Sequence, residues 1–260
     1  MHRKTGPIAF LTVFIAALRG ITADASTAGL HCPLFAQANV PAPAPRPDPK
    51  AIERFQLINR EASAGSHRVL FLGDSLIQKW DVSLWDRYFA PADALNAGVN
   101  GDRTEHLLWR IKHGNLERQQ PKLIVLLIGT NDIGRSRPAQ IIAEGVRRIL
   151  AELRLRVPSA RILLIGVLPR NRSPDSHRRR EVAEVNQLIR ICNDEKHVFY
   201  ANIGKSLLDQ AGRLTREVST DGVHLTEHGY ARLTGQLEVK FKDLLPGTPA
   251  RSARFLKHAP

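Results

Sequence analysis

The 260-residue sequence is poor in several things, and each shortage closes off a class of protein. It holds two cysteines, Cys32 and Cys192. Two thiols so far apart do not make a disulfide framework of the small-secreted-domain kind. Neither has a CxxC or Cys-His neighbour that would announce zinc. Whether they pair is open at this level. Acidic side chains are outnumbered by basic ones, 25 to 38, leaving a net charge of +13. Aromatic residues reach only 6%, and no zinc finger, aromatic RNP strand or basic-plus-heptad pattern accompanies the charge. Nucleic acid is therefore not an expected partner. The excess reads as a solvated arginine-rich surface, with an anionic envelope surface as the alternative use. GxGxxG, P-loop and HExxH motifs are all missing. So is the G-x-S-x-G elbow of α/β-hydrolases. Neither a metal nor a cofactor is expected.

Long apolar runs are missing too. The stretch Pro7–Leu18, PIAFLTVFIAAL, is too short to span a bilayer comfortably, and Arg19 ends it. It follows the cationic His2-Arg3-Lys4 and precedes Ala23-Asp24-Ala25, an A-x-A site. Residues 1–25 thus read as a signal peptide cleaved near Ala25, for a secreted or periplasmic protein. An uncleaved anchor is the alternative. Residues 26–60, which contain VPAPAPRPDPK, read as an extended Pro/Ala-rich linker. A folded domain is expected over 61–245 and a basic tail over 246–260.

Within that domain, apolar runs of strand length alternate with helical patterns. Strands are expected at Val69–Leu72, Ala94–Val99, Leu123–Ile128, Ile162–Val167 and Val198–Ile203. The run LIVLLI is continuous, as in a strand buried on both faces of a parallel sheet. Helices are expected at 104–111, 139–155, 180–192 and 226–244, with Thr226 as an N-cap. The alternation predicts an α/β three-layer α/β/α sandwich on a five-stranded, mostly parallel sheet. His106, His113, His177 and His228 fall on helices or loops and read as solvated. Trp80, Trp85 and Trp109 read as packing residues.

Four segments carry chemistry: Gly73-Asp74-Ser75-Leu76, NAGVNGDR (96–103), IGTND (128–132) and STDGVHL (219–225). The first three follow strands, so a parallel sheet delivers them to one edge. A serine nucleophile needs a base, usually a histidine held in one tautomer by a carboxylate. Asp221 and His224, three apart across a glycine turn, have that spacing. Acyl transfer also needs donors aimed at a developing oxyanion. The candidates are the N–H groups of Ser75 and Gly101 and the side-chain amide of Asn131. Each segment alone is ordinary turn or cap chemistry. Their conjunction, in order, is what points to catalysis.

These four blocks resemble those of the SGNH (GDSL-type) hydrolases, a flavodoxin-like fold, over about Ser66–Leu245. The resemblance implies Ser75 as nucleophile, His224 as base, Asp221 as its partner, and Ser75, Gly101 and Asn131 as the oxyanion hole. The stretch from NAGVNGDR to GTND, and GVLPRNRSP, are similar to the catalytic subunits of platelet-activating-factor acetylhydrolase. That likeness implies a small acyl pocket lined by Leu76, Thr130 and Val223, with acetyl favoured. The expectation is an exported serine esterase acting on a small-molecule, glycan or lipid ester, with homodimerisation open. An O-acyltransferase of envelope glycans using the same triad, a lysophospholipase-type acylhydrolase, and a non-catalytic module binding anionic polymer are the alternatives.

Overall fold

The structure is a computed structural model that describes residues 30–245, so the expected leader over 1–25 and tail over 246–260 lie outside the described residues. Five parallel strands form one sheet: β1 (Val69–Gly73), β2 (Ala94–Gly98), β3 (Leu123–Leu127), β4 (Arg161–Ile165) and β5 (Val198–Ala201). Their order is β2-β1-β3-β4-β5. The chain reverses direction across the sheet beside β1, which makes the carboxyl end of β1 the place where a crevice opens. The helices are α1 (Pro49–Ala64), α2 (Ser75–Gln78), α3 (Val82–Tyr88), α4 (Thr104–Arg110), α5 (Thr130–Gly134), α6 (Ala139–Arg156), α7 (His177–Ile189) and α8 (Glu227–Leu244).

The period-2 alternation of the strands splits the core into two layers. Leu70, Leu72, Ile124, Leu126, Ile162 and Leu164 face Ile58 of α1, Leu107 of α4, Ile142 of α6 and Val185 of α7. Val69, Phe71, Leu123, Val125, Leu163 and Ile165 face Leu233 and Leu237 of α8, together with Trp80 and Phe89. Strands β1 and β3 are buried at every position. Each fully buried Leu or Ile contributes roughly 1.5–3 kcal/mol, so these two strands anchor the sheet. Thr226 caps α8, its hydroxyl accepting from the Gly229 N–H at 3.1 Å.

The expected linker over 26–60 needs correcting in its described part. The Asp48 carboxylate accepts the Ala51 N–H at 3.1 Å, and Pro49 opens α1. A capping Asp followed by Pro at the first helical position is a strong start signal. Ala51, Ile58 and Ala62 then bury one helical stripe against the sheet. Arg54, on the same helix, donates to the carbonyls of Asn96 (2.5 Å) and Gly98 (3.2 Å) on β2. Upstream, Leu30, Cys32 and Phe35 pack on the same core layer. The Phe35 N–H donates to buried Glu144 at 3.2 Å. A disulfide joins Cys32 to Cys192, 160 residues apart. The Pro/Ala-rich stretch just before Asp48 has no regular secondary structure, yet the residues around it pack on the domain.

Two further differences concern α4 and its surroundings. The helix runs on into a wider turn over Ile111–Asn115. His106 is buried, not solvated. Its Nδ1 accepts the Arg103 N–H at 3.1 Å. Burial pushes its pKa down to about 4, against the pull of neighbouring Glu105.

Candidate active site

Strand β1 delivers Ser75. Gly73 ends the strand, where a Cβ would come within 2.2 Å of the Leu127 carbonyl oxygen on β3, so glycine is required by close approach. Asp74 caps α2, one carboxylate oxygen accepting the Leu76 N–H at 2.9 Å. Its other oxygen is buried without a hydrogen-bond partner. Burial, with the charges of Asp102 and Asp132 adding, raises the Asp74 pKa to about 7. Ser75 is the first residue of α2, so its N–H has no acceptor within that helix.

The loop after Val218 brings the other two groups. His224 Nδ1 lies 2.6 Å from Asp221 Oδ2. The Nδ1–H donates to the carboxylate, which leaves Nε2 to accept from the Ser75 hydroxyl at 3.1 Å. Asp221 Oδ1 also accepts the N–H groups of Val223 (2.8 Å) and His224 (2.7 Å). Burial works to raise the Asp221 pKa, but these bonds and the imidazole outweigh it and hold it at about 2. The carboxylate is therefore ionised at any working pH, fixing the imidazole tautomer.

Strands β2 and β3 supply the flanking loops. Gly101 has φ 78°, a left-handed conformation that suits glycine. The Asn131 amide donates to the Asp102 carbonyl at 2.9 Å. A primary amide has two hydrogens, so a second remains for an oxyanion. Asp132 is buried and accepts the Thr104 N–H (3.1 Å), the Thr104 hydroxyl (3.0 Å) and Arg137 (2.6 Å). Burial raises its pKa to about 6, opposed by Arg137. It ties the β3 loop to the start of α4.

Reading the motifs alone misses the groups that hold these loops. Arg46 donates to the Gly101 carbonyl at 2.6 Å. Buried Arg110 donates to Asp102 Oδ2 at 2.7 Å and to the Gly73 carbonyl at 3.1 Å, and it also bonds Asn115. One guanidinium thus joins the Gly101 loop to the end of β1. Burial raises the Asp102 pKa, against the pull of Arg110. The DR pair at 102–103 was the visible signal, but nothing local says which arginine answers it. Of the three expected pocket residues, Leu76 and Thr130 are buried, each one position from Ser75 or Asn131. Val223 is half-buried and lines a cavity of about 350 Å³ with Arg170, Asn171, Arg172, Arg178, Asp221 and Gly222. Among the described residues, no group of three or more His, Cys, Asp or Glu is placed to hold a metal ion.

This arrangement has known relatives. The GDSL-like lipase/acylhydrolase family matches residues 71–232, a span that holds all five site residues. The alpha2 subunit of platelet-activating factor acetylhydrolase IB from Homo sapiens is 36% identical over 183 residues, covering 70% of this chain and 79% of its own. A GDSL-like lipase from Bacteroides thetaiotaomicron superposes with a TM-score of 0.63 at 19% identity, over 74% of this chain and 98% of that one. An acetylxylan esterase from Geobacillus stearothermophilus does so with a TM-score of 0.55 at 15% identity, over 72% and 99%. At those identities the two structures speak to the fold; the family match and the human relative go further. A serine hydroxyl on a histidine, on this sheet and in this sequence frame, makes the chain a member of the GDSL-like lipase/acylhydrolase family and a carboxylic ester hydrolase.

Proposed function

We propose that this hydrolase is an exported serine esterase that removes small acyl groups, acetyl above all. The observation that carries the mechanism is the continuous hydrogen-bond path from Ser75 Oγ through His224 to Asp221, at 3.1 and 2.6 Å. Ser75 Oγ attacks the ester carbonyl carbon while His224 Nε2 takes its proton. The carbonyl oxygen becomes an oxyanion against the N–H groups of Ser75 and Gly101 and the Asn131 amide. The carbon–oxygen bond to the alcohol then breaks as the imidazolium returns the proton to the leaving oxygen. A water, deprotonated by His224, attacks the acyl-enzyme and frees the acid.

The preference for a short acyl chain rests on the human relative, an acetylhydrolase by name, and on the tight burial of Leu76 and Thr130 beside the reacting groups. Export rests on the 1–25 pattern, and a Cys32–Cys192 disulfide suits an oxidising compartment. The test is hydrolysis of p-nitrophenyl acetate, butyrate and octanoate by wild type and Ser75→Ala. Turnover that falls with chain length and vanishes in Ser75→Ala is expected. Folded wild type that leaves all three untouched would sink the reading.

A further inference from the structure

The loop after β4 touches both halves of the site, and the mechanism above uses none of its side chains. Residues 170–172 reach α5, which carries Asn131, and the turn that carries Asp221. The Asn171 N–H donates to the Gly222 carbonyl at 2.8 Å, and Arg172 donates to the Thr220 carbonyl. Arg170 reaches the other way. Its Nη1 donates to the Thr130 carbonyl at 2.9 Å and to the Thr130 hydroxyl at 3.2 Å. A Cβ added at Gly134 would lie 3.2 Å from its Nη2, so the guanidinium lies along α5 from Thr130 to Gly134.

The bond to the Thr130 carbonyl matters because of what that carbonyl belongs to. The Thr130 C=O and the Asn131 N–H form one rigid planar unit, which ends at the Asn131 Cα. Fixing the carbonyl fixes the direction from which the Asn131 side chain departs. Helix α5 has five residues, too few to be stable by itself. Gly129, at φ 121°, precedes it and has no side chain to cap the first turn. The helix is held from outside. The Asp132 carboxylate ties it to Thr104 and Arg137, and Arg178 donates to the Ile133 carbonyl at 2.6 Å. Those bonds hold the residues after Asn131; Arg170 holds the peptide before it. The Asn131 amide then has one hydrogen on the Asp102 carbonyl at 2.9 Å and one left to aim. We propose that Arg170 is a positioning residue for ester hydrolysis, holding the Thr130–Asn131 peptide so that the second amide hydrogen of Asn131 points at the developing oxyanion. This rests on the reading of Asn131 as an oxyanion donor and deepens it. A reacting group misplaced by about 1 Å can cost on the order of 10²-fold in rate, so a brace on the donor's own peptide bears on turnover. A guanidinium suits the task, because it stays charged at any working pH and its N–H groups are fixed in one plane.

The experiment is a double-variant cycle: wild type, Arg170→Met, Asn131→Ala and Arg170→Met/Asn131→Ala, assayed on p-nitrophenyl acetate with Ser75→Ala as the blank. Methionine keeps an unbranched apolar stem and removes every donor. Arg170→Met is expected to lower kcat and kcat/KM together, at least tenfold, with KM unchanged, as for a contact made only in the transition state. In the Asn131→Ala background the same change is expected to cost at least threefold less than in wild type, because the group it aims is gone. A side chain that only stabilises the fold would give the same factor in both backgrounds. A single loss under tenfold, a raised KM, or a factor that shrinks less than threefold overturns the assignment. Arg170→Gln, two bonds shorter than arginine, goes through the same cycle. If one variant fails to fold, as judged by its urea midpoint, the other is read by the same criteria. Asn131→Ala alone judges the reading beneath. A loss under tenfold removes Asn131 from the oxyanion hole, whereas a larger loss with additive factors removes only Arg170.

Discussion

Replacing Arg110 by leucine tests how the Gly101 loop is held. Arg110 is 3% exposed and its partner Asp102 is 1% exposed. Arg110→Leu removes the 2.7 Å ion pair and the bond to the Gly73 carbonyl, and leaves the Asp102 carboxylate buried. Asp102 Oδ1 already lacks a hydrogen-bond partner, and the nearest remaining cation is Arg46 Nε at 4.0 Å. Breaking one half of a buried pair in this way costs about 3–5 kcal/mol. The double variant Arg110→Leu/Asp102→Leu removes the orphaned charge and should recover at least about 1 kcal/mol of that loss. The assay is urea unfolding, with midpoints compared at unchanged slope. A pH signature accompanies it. Burial raises the Asp102 pKa in the folded state, and losing Arg110 raises it further. The folded form then binds a proton that the unfolded form has released, so stability falls as pH rises. Arg110→Leu should be closer to wild type at pH 5 than at pH 8. A single-variant loss below about 1 kcal/mol, or a double variant as unstable as the single, would refute the reasoning.

Three more outcomes are expected. Asn131→Ala should lower kcat by roughly 10²–10³ with the urea midpoint nearly unchanged; a drop under tenfold in folded protein would take Asn131 out of the oxyanion hole. Asp74→Asn keeps an N-cap acceptor but cannot ionise. The folded-state pKa of Asp74 is raised from 3.8 to about 7, so wild-type stability declines as pH rises across that interval. The variant should gain on wild type between pH 4 and pH 8, and parallel pH curves would contradict this. Cys32→Ser/Cys192→Ser should lose roughly 2–4 kcal/mol of stability under oxidising conditions, and equal urea midpoints for the two proteins would show that the disulfide contributes nothing.

What the chain displays locally, its sequence displays well. The strands are mostly apolar runs, continuous in β1 and β3 and broken by Asn96 in β2, and they show in the sequence without tertiary knowledge. Ser75, Gly101, Asn131, Asp221 and His224 sit at strand ends and in turns, so their positions follow once the sheet is parallel. The supporting groups were not legible. Arg46, Arg54 and Arg110 look like any of 38 basic residues until the fold shows what each meets. His106 lies on a helix face that only packing identifies as inner. Residues 49–60 were lost for a different reason. The prolines before them suggested a spacer, while Asp48-Pro49, a helix start, stood in the same string. The short helices α2, α3 and α5 have too few residues to show a period.

The strand order also fixes a dimension. Ser75, Gly101 and Asn131 follow β1, β2 and β3, and those strands lie side by side as β2-β1-β3. The three proposed donors are therefore mounted on adjacent rails of one ladder, rails about 4.8 Å apart and joined by backbone hydrogen bonds. That gauge is set by the peptide unit and is the same for any side chains. Drift in the loops can tilt the donors but cannot widen the track on which they stand. The other flank, past β4 and β5, is built differently: there loop residues Arg170 and Arg172 meet the Asp221 turn around a cavity. On this plan the sheet sets the spacing of one wall of the crevice, while loop side chains alone set the other.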